Sequence, residues 1–568
     1  MSKDPRQLEY FAFEDFRPGI YEQPGVSHPA GAATEENTYR CISVESGALV
    51  PAPRRVQTIQ RRPNTIAAEE PSASYSRIFI SGILANGPVF SGTGDNIPRG
   101  VNLNRSELWF GFEWGTEKDP VEAAKDRNRL VTRYYRNSAT PLWENIYTLP
   151  LEDQNAPAVP KRCTFVRTTA NAATPTDLGN PVVVWLFERD TTVGFRYFPD
   201  ETTPTVNSTV QVDSSAVGPG SGATTTQPPQ ELIGHQNRLI VFPLNVYGNG
   251  DETVYGNTQG FYYTKVNDPT DRETGINFFS NVTGVENPSG YAEFASLTAD
   301  ELLLIKRQGG GIVLRGQITD FQAVTLPNLK SPGFSQCRGT QSPLGFAYCV
   351  ENGGVWLWQG GDLSTHISKQ LKEDFWRPLM EYGPEVAPSS MAQWGTLIVT
   401  PNNWIFDTDH QGWCKLWPNR QDADRGNTEA EQMWHWTTDH NDRWCWGTPR
   451  DMEWGDDGDT LTDVAWEFDN RFGATNYSWQ SHPIGPSQSR QINVREVLIT
   501  ASGRGTITCI VSAKNAEAQT QTIQVDNEFP TSHRVQFDVR GSHVQVRFVA
   551  TGTEDSSFNA GPFNNLDA

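Results

Sequence analysis

From about residue 74, apolar runs of about four to eight residues alternate with turns. Their β-branched and aromatic side chains, with Gly, Asn or Asp at the turns, predict β-hairpins. Three such pairs are 301–305 with 312–315, 345–349 with 355–358, and 403–407 with 412–417. Between 290 and 470 the units recur roughly every 40 to 50 residues, a period typical of four-stranded propeller blades. We therefore predict an all-β fold with a degenerate six- to seven-bladed β-propeller over residues 74–478.

Two segments interrupt this pattern. Residues 201–230 are rich in Thr, Ser, Gly and Pro, which predicts a long surface loop inserted into a blade. In residues 362–377, Ile367, Leu371 and Phe375 recur at i, i+4 and i+8, the spacing of one helix face. This spacing predicts an amphipathic helix that ends before Pro378.

The two ends of the chain differ from the middle. Residues 1–73 lack strand periodicity and place aromatic residues among turn signals, which predicts an extended strap lying across this protein or a neighbour. Residues 479–568 contain strictly alternating runs at 494–500, 506–511, 520–525, 534–539 and 543–549, which predict separate strands. In one of them, Val535, Phe537 and Val539 share one face. This alternation predicts a C-terminal antiparallel β-sandwich. The strap residues expected to contact a partner are Phe13, Phe16, Pro18, Tyr21 and Tyr39.

Charge and composition narrow the function classes. The formal net charge of −21 disfavours binding to nucleic acid or to an anionic membrane surface. The beginning of the sequence is polar and no run reaches the length of a membrane span, so neither secretion signal nor membrane insertion is predicted. The seven cysteines are widely spaced without a CxxC, which indicates buried thiols rather than disulfides or a zinc site. No cofactor is predicted.

The layout resembles that of propeller-type tail and head-to-tail proteins of phage virions. In the strap, the resemblance rests on 15–19, 35–41 and the Gly-Ala-Leu-Val-Pro step at 47–51. Blade segments that carry it are 235–242, 300–306 and 353–361, and the strand 476–480 that leads to the C-terminal sandwich is similar too. The resemblance implies a virion component such as a minor tail protein, and it brings no catalytic motif with it.

Tryptophan is concentrated late in the chain, where 14 of the 18 residues lie between Trp356 and Trp479. Flat indole rings stack on sugars, so a glycan-binding surface is one interpretation. The other is that the rings plug the spaces between blades, because aromatic side chains bury much area with few rotamers. The residues considered as glycan or partner contacts are Trp404, Trp413, Trp417 and Trp434.

Three acidic or histidine clusters could carry chemistry. Asp407-Thr-Asp-His410 could act in acid–base catalysis, but Asp is also preferred in hairpin turns. The run 456–459 could hold Ca²⁺, but its spacing is not that of an EF-hand loop. His435 and His440 fall on opposite faces of a strand, poor geometry for one metal. We predict neither a metal site nor catalysis.

Two hypotheses follow. The first is a structural minor tail protein at or near the tail tip, made in the host cytoplasm and assembled into the virion as a rigid adaptor for neighbouring tail proteins. A head-to-tail connector component is a variant of this hypothesis. The second is a tail-tip propeller that binds or cleaves host-surface glycan during host attachment.

Overall fold

The structure is a computed structural model. It describes residues 12–13, 15–22, 28–29, 31–43, 45–61, 77–86, 107–114, 128–135, 142–149, 164–170, 180–187, 193–197, 209–212, 224–227, 231–247, 259–272, 277–278, 291–307, 309–333, 335, 337–351, 353–372, 375, 389–416, 433–439, 444–449, 451–453, 462–473, 476–484, 491–552 and 563–567. The elements in these residues are β-strands, so the predicted all-β class is confirmed.

The strap and the first three propeller sheets contain the first 17 strands. Strap strands are β1 (Cys41–Ser43), β2 (Leu49–Pro51) and β3 (Pro53–Arg61). Blade one contains β4 (Arg77–Asn86), β5 (Glu107–Trp114), β6 (Asn128–Tyr135) and β7 (Leu142–Leu149). Blade two contains β8 (Thr164–Ala170), β9 (Asn180–Phe187), β10 (Val193–Tyr197) and β11 (Thr209–Val212). Blade three contains β12 (Thr224–Gln227), β13 (Glu231–His235), β14 (Arg238–Tyr247), β15 (Gln259–Lys265), β16 (Asp268–Arg272) and β17 (Asn277–Phe278).

The next three blades are compact four-stranded sheets. Blade four contains β18 (Tyr291–Thr298), β19 (Glu301–Lys306), β20 (Gly311–Arg315) and β21 (Gln322–Leu326). After the short β22 (Cys337–Arg338), blade five contains β23 (Thr340–Ser342), β24 (Gly345–Val350), β25 (Gly354–Trp358) and β26 (Ser364–His366). After β27 (Ser389–Ser390), blade six contains β28 (Ala392–Trp394), β29 (Leu397–Val399), β30 (Trp404–Asp407) and β31 (Trp413–Lys415).

The last propeller sheet is completed by the strap. It contains β32 (Trp434–Thr438), β33 (Trp444–Pro449) and β35 (Thr462–Gly473), and β34 (Asp451–Glu453) joins blade one instead. Strand β3 pairs antiparallel with β35, with Ile59 opposite Ala465. The beginning of the chain therefore supplies the outer strand of blade seven and joins the two ends of the propeller by hydrogen bonds.

One strand from each blade takes part in a closed ring of contacts. Strand β4 contacts β8, and contacts continue through β13, β18, β23, β28 and β32 back to β4. Short parallel bridges also link β22 to β27 and β27 to β32 at the inner ends of blades five, six and seven. The described sheets therefore form a seven-bladed β-propeller, the upper of the two predicted blade numbers.

Strand β19 illustrates why the blade strands are apolar on both faces. Leu302 and Leu304 pack in a core with Ile240 of blade three. The alternate residues Leu303 and Ile305 pack in a second core with residues of blade five. Because each blade is covered by a neighbour on both sides, alternation in such a strand decides which neighbouring blade a side chain meets.

The remaining strands form the C-terminal antiparallel β-sandwich. They are β36 (Asn476–Gln480), β37 (Ile492–Ala513), β38 (Gln519–Gly541), β39 (Val544–Gly552) and β40 (Phe563–Asp567). Strands β37 and β38 pair over most of their length, and the register shifts between Ala501 and Gly503. On the other edge of β37, β40 pairs with residues 500–503 and β39 with residues 505–513. Along that edge of β37, the sheet therefore continues through β39 to β36 in one part and through β40 and β2 to β1 in the other.

Glycine permits the change of direction in β37. Gly503 and Gly505 have φ of 118° and 148°, in a region that residues with a Cβ rarely adopt. The sequence pattern predicted separate strands at 494–500 and 506–511, and likewise at 520–525 and 534–539. The structure joins each pair into one long strand. The predicted boundary at 479 also falls inside β36, and the sandwich takes β1 and β2 from the strap.

Two predictions within the propeller need correction. The helix predicted over 362–377 is wrong in its first part, because Ser364–His366 form β26, with His366 opposite Trp356, and turns follow at 367–370. Of its last part, 373–374 and 376–377 lie outside the described residues. The loop predicted over 201–230 contains β11 and β12, and the other residues of that tract lie outside the described residues. Within the described part of the chain, no helix has the length and apolar character needed to cross a membrane.

Candidate functional site

The strap lies between the propeller and the sandwich and forms backbone hydrogen bonds with both. Ile20 N–H donates to the carbonyl of Trp413 in blade six at 2.8 Å. Further along the strap, Thr34 N–H donates to the carbonyl of Gln480 at 2.9 Å. Tyr39 and Ser478 exchange two backbone hydrogen bonds, at 2.9 and 3.1 Å. The strap is thus held along its length by groups from both domains.

Glycines allow this close approach. Gly19 has φ of +58°, and a Cβ there would lie 2.6 Å from the backbone nitrogen of Trp413. Gly31 has φ of +78°, and a Cβ there would lie 1.9 Å from the carbonyl oxygen of Asp15. Each position therefore requires both a left-handed backbone and the absence of a side chain. The turn signal at 17–19 in the sequence lies where the strap turns against blade six.

Aromatic side chains fill the space where strap, blade six and sandwich meet. Phe16 is 1% exposed, and its ring lies edge-on to Trp479 with centroids 4.9 Å apart. Phe13 contacts the same indole at 5.2 Å. In the same core, the ring centroids of Trp413 and Phe375 are 5.2 Å apart. The indole N–H of Trp413 donates to the carbonyl of Ile367 at 2.9 Å. We call this region the strap junction, comprising Phe16, Ile20, Cys41, Trp413, Cys414 and Trp479.

Ion pairs reinforce the junction. Lys415 lies 2.6 Å from a carboxylate oxygen of Glu35 and 5.0 Å from the ring centre of Trp404. Burial lowers the pKa of Lys415, and the Glu35 carboxylate opposes that shift. A second strap carboxylate, Glu22, accepts from the backbone of Glu35 and pairs with Lys372 at 3.2 Å. Because Lys415 is largely buried, the Glu35 carboxylate offsets part of the cost of burying its ammonium group.

Two histidines stack beside the junction. The rings of His28 and His482 have centroids 3.6 Å apart and an angle of 5° between their planes. Burial lowers the pKa of His482, the neighbouring His28 lowers it further, and Glu22 acts in the opposite direction. The environment therefore favours the neutral imidazole of His482.

A small cavity of about 20 Å³ lies at the strap junction. Its lining includes Phe16, Trp413 and Trp479, together with the thiols of Cys41 and Cys414. The two sulfur atoms are 4.0 Å apart, and the backbone N–H of Cys41 donates to the Cys414 sulfur at 3.2 Å. Burial and the Cys414 thiol raise the pKa of Cys41 well above its usual range, the thiol having the larger effect.

The cluster Asp407–His410 lies at the turn between β30 and β31, beside this cavity. His410 Nδ1 lies 2.7 Å from one carboxylate oxygen of Asp407, whose other oxygen accepts from the backbone N–H of Asp409 at 3.0 Å. The carboxylate therefore stabilises its own turn, as Asp does in many turns. Close to it in the strap, a hydrogen bond from Arg17 lowers the pKa of Asp15.

The other predicted clusters contribute little to this site. His435 is buried, with Nε2 2.8 Å from the carbonyl oxygen of Ile80 and Nδ1 3.4 Å from the hydroxyl of Ser390. His440 and the acidic run 456–459 lie outside the described residues. Among the residues that are described, no three His, Cys, Asp or Glu side chains are grouped as metal ligands would be.

No protein-family description matches the chain, and no curated protein sequence does so either. Among solved structures, it is similar to a sialidase of Trypanosoma rangeli in complex with sialic acid, at 9% identity and TM-score 0.29, covering 97% of this chain and 95% of that one. An exo-β-1,3-galactanase from Phanerochaete chrysosporium with galactose is 9% identical at TM-score 0.24, covering 71% and 100%. YCF48 bound to D1 peptide is 12% identical at TM-score 0.28, covering 50% and 77%. Likenesses this weak carry no inference about activity.

The tryptophans considered as glycan contacts are engaged inside the protein. Trp404, Trp413 and Trp434 are all buried, and Trp417 lies outside the described residues. Trp434 stacks on Trp436 with centroids 5.6 Å apart, so the alternating pair shares one strand face in the core. The rings of Trp404, Trp413 and Trp434 fill spaces inside the protein and offer no open face for a sugar.

The predicted strap contacts divide into two groups. Phe16 is buried by this chain itself, so in this conformation its ring is not available to a separate partner. Phe13, Pro18, Tyr21 and Tyr39 are half-buried, and their contact with another protein stays a prediction. The sequence did not identify Trp479 as the residue against which the strap packs. The dense aromatic content of both segments was the only available sign, and it carries no information about pairing.

Proposed function

We propose that the chain is a non-enzymatic structural protein of a phage virion, a minor tail protein that acts at or near the tail tip as a rigid adaptor for neighbouring tail proteins. The observation that carries this proposal is the continuous core at the strap junction. Buried residues of the strap, blades five and six, and the sandwich belong to one hydrophobic cluster. An adaptor must keep the surfaces on its domains at fixed distances, and a shared core supports that requirement.

The strap links the domains by more than packing. Strands β1 and β2 belong to the sandwich sheet, while β3, which directly follows them, closes blade seven. Rotation of the sandwich against the propeller would therefore break backbone hydrogen bonds as well as the aromatic contacts of Phe16 and Trp479. Domains connected only by a linker move relative to one another by default. The strap favours a platform with little such motion.

Two further features favour a structural over a glycan-directed role. The indoles of Trp404, Trp413 and Trp434 are covered by the protein, whereas a glycan platform needs exposed rings. The Asp407 carboxylate is occupied by its own turn and by His410. The net charge of −21 is suited to partners that present basic surfaces, which we expect among neighbouring tail proteins rather than nucleic acid.

Immunogold electron microscopy tests this proposal. Antibody raised against the purified chain is applied to virions of the phage that encodes it, and gold is expected at the distal end of the tail. Label confined to the head–tail junction would replace the tail-tip position with the connector position. Label on capsid vertices alone, or virions without the chain by mass spectrometry, would overturn the proposal.

A binding measurement tests the glycan hypothesis separately. The purified chain is titrated with host cell-wall fragments while tryptophan fluorescence is followed. An unchanged spectrum is expected because Trp404, Trp413 and Trp434, the described candidate contacts, are buried. A saturable shift or quench, absent with an unrelated polysaccharide, would favour the glycan-binding role over a purely structural one.

A further inference from the structure

Two cysteine thiols face each other across the contact between the strap and the propeller. Cys41 is in β1 of the strap and Cys414 is in β31 of blade six, 373 residues apart in the sequence. Their sulfur atoms are 4.0 Å apart, and both side chains are buried. The sequence pattern gave no reason to pair these residues, because wide spacing predicts no connectivity.

We propose that Cys41 and Cys414 form a reversible disulfide, which covalently ties the strap to blade six when the protein meets a small-molecule disulfide such as oxidised glutathione. This inference concerns the strap junction alone and does not depend on the proposed function. It assigns these two buried thiols a role as a modification site, in addition to their role in packing.

The geometry brings the pair close to bonding distance. A disulfide needs a sulfur–sulfur distance of about 2.05 Å, so the gap must close by about 2 Å. Side chains move between staggered positions about χ1, which displaces a sulfur atom by more than this distance. The thiols now point to backbone carbonyls, Cys41 to Ser478 at 3.4 Å and Cys414 to Lys415 at 3.3 Å, and such sulfur contacts are weak. Both residues also line the small cavity at the strap junction.

The reaction is a pair of thiol–disulfide exchanges. The thiolate of one cysteine attacks the oxidant, whose sulfur–sulfur bond breaks, leaving a mixed disulfide and releasing one small thiol. The second cysteine then attacks the protein sulfur of that mixed disulfide and releases the other small thiol. Two electrons pass from the cysteine pair to the oxidant, and the two cysteine protons end on the two released thiols. A reducing dithiol reverses both steps.

Two features of the site should make the oxidation slow. The raised pKa of Cys41 means that little of it is thiolate at neutral pH. The oxidant must also reach buried atoms, which requires the strap to open for a moment. Oxidation should therefore be slow, and it should accelerate with pH. Once formed, the bond links residues 373 positions apart and strongly restricts the unfolded chain.

A second thiol pair serves as an internal comparison. Cys349 lies in β24, and the nearby Cys337 thiol is the main cause of its raised pKa. Both residues belong to the stretch around blade five, so oxidation there would leave the strap untethered. Cys509, in the sandwich, has a pKa raised to about 12 by burial. Its serine variant is a matched control that removes one buried thiol outside either pair.

The experiment uses the purified full chain, incubated with oxidised glutathione at pH 8 and then digested without reduction. The expected product is a peptide pair linked through Cys41 and Cys414, with alkylatable thiols falling from seven to five in the unfolded chain. The Tm should rise by about 4 °C and return after reduction. The C509S variant should give the same linked peptides.

Three outcomes would overturn the proposal. One is a linkage at Cys337 and Cys349 alone, and another is stable glutathione adducts on Cys41 or Cys414 without a linkage between them. The third is seven free thiols after an incubation long enough to oxidise a surface cysteine pair in a reference protein. Mapping the unsubstituted chain decides between these outcomes, so the test stands even if Cys41 or Cys414 variants fail to fold.

Discussion

Replacing Phe16 with alanine removes the ring by which the strap enters the shared core. The Phe16 ring is 1% exposed and lies edge-on to Trp479 at 4.9 Å. The substitution leaves the neighbouring backbone hydrogen bonds in place, including Phe16 N–H to the carbonyl of Gly47 at 2.9 Å. Any loss of stability therefore reports the ring and its packing rather than the strap backbone.

The expected loss is large because the ring is fully enclosed. Deleting a buried phenylalanine side chain costs about 3–5 kcal/mol, which includes the lost transfer free energy and the cavity left behind. Since about 1.4 kcal/mol is a tenfold change in an equilibrium, 3 kcal/mol raises the population of detached strap by more than about 100-fold. Protease cleavage in the strap should accelerate by a similar factor where cleavage follows the open population.

The assay combines urea unfolding, followed by tryptophan fluorescence, with limited proteolysis mapped by mass spectrometry. The matched control is Phe529→Ala, the same chemical change at a side chain that is 74% exposed. That control should alter stability by no more than about 0.5 kcal/mol. Equal urea midpoints and equal strap cleavage rates for the two variants would refute the role assigned to Phe16.

Two further predictions concern glycine and histidine positions elsewhere in the chain. Gly31→Ala should lower the Tm more than Gly360→Ala. Both glycines have positive φ, but only at Gly31 would a Cβ meet backbone atoms. Equal losses of Tm would contradict this steric requirement. Burial lowers the pKa of His235, His366 and His482 below 6.5, so the unfolded chain binds more protons than the folded chain. The stability that they contribute is present above about pH 6.5 and is lost as the pH falls below it. The urea midpoint should fall between pH 7 and pH 5, less steeply in His482→Gln, and an unchanged slope in that variant would count against this cause.

The first part of the helix predicted over 362–377, which is a strand and turns instead, shows that a local pattern can indicate burial without specifying the element. Leu371 and Phe375 belong to the core, and Ile367 packs against it, as their spacing suggested. Spacings of four and eight residues fit a helix face but are also multiples of the strand period of two. Pairing of His366 with Trp356 in blade five decided the conformation, and those two rings stack 4.9 Å apart.

The strap shows a limit of another kind. Its turns and aromatic residues predicted a segment that lies against another surface. They did not indicate whether that surface belongs to this protein or to a neighbour. Trp413 and Trp479, which receive the strap, lie about 400 residues further along the chain, with many other tryptophans nearby in the sequence. Pairing over such a separation depends on the complete arrangement of blades and sandwich, which no local pattern contains.

The sequence by itself determined the all-β class, the hairpins from 301 to 417 and the range for the number of blades. Strand period, β-branched content and turn chemistry act between near neighbours, so they can be recognised in a single chain. Only the tertiary structure decided the closure of blade seven by β3, the bent ribbon of the sandwich and the meeting of Cys41 with Cys414. These features depend on contacts between segments that are distant in the sequence. Such contacts stabilise the protein only when the propeller ring is closed and the strap is packed against it.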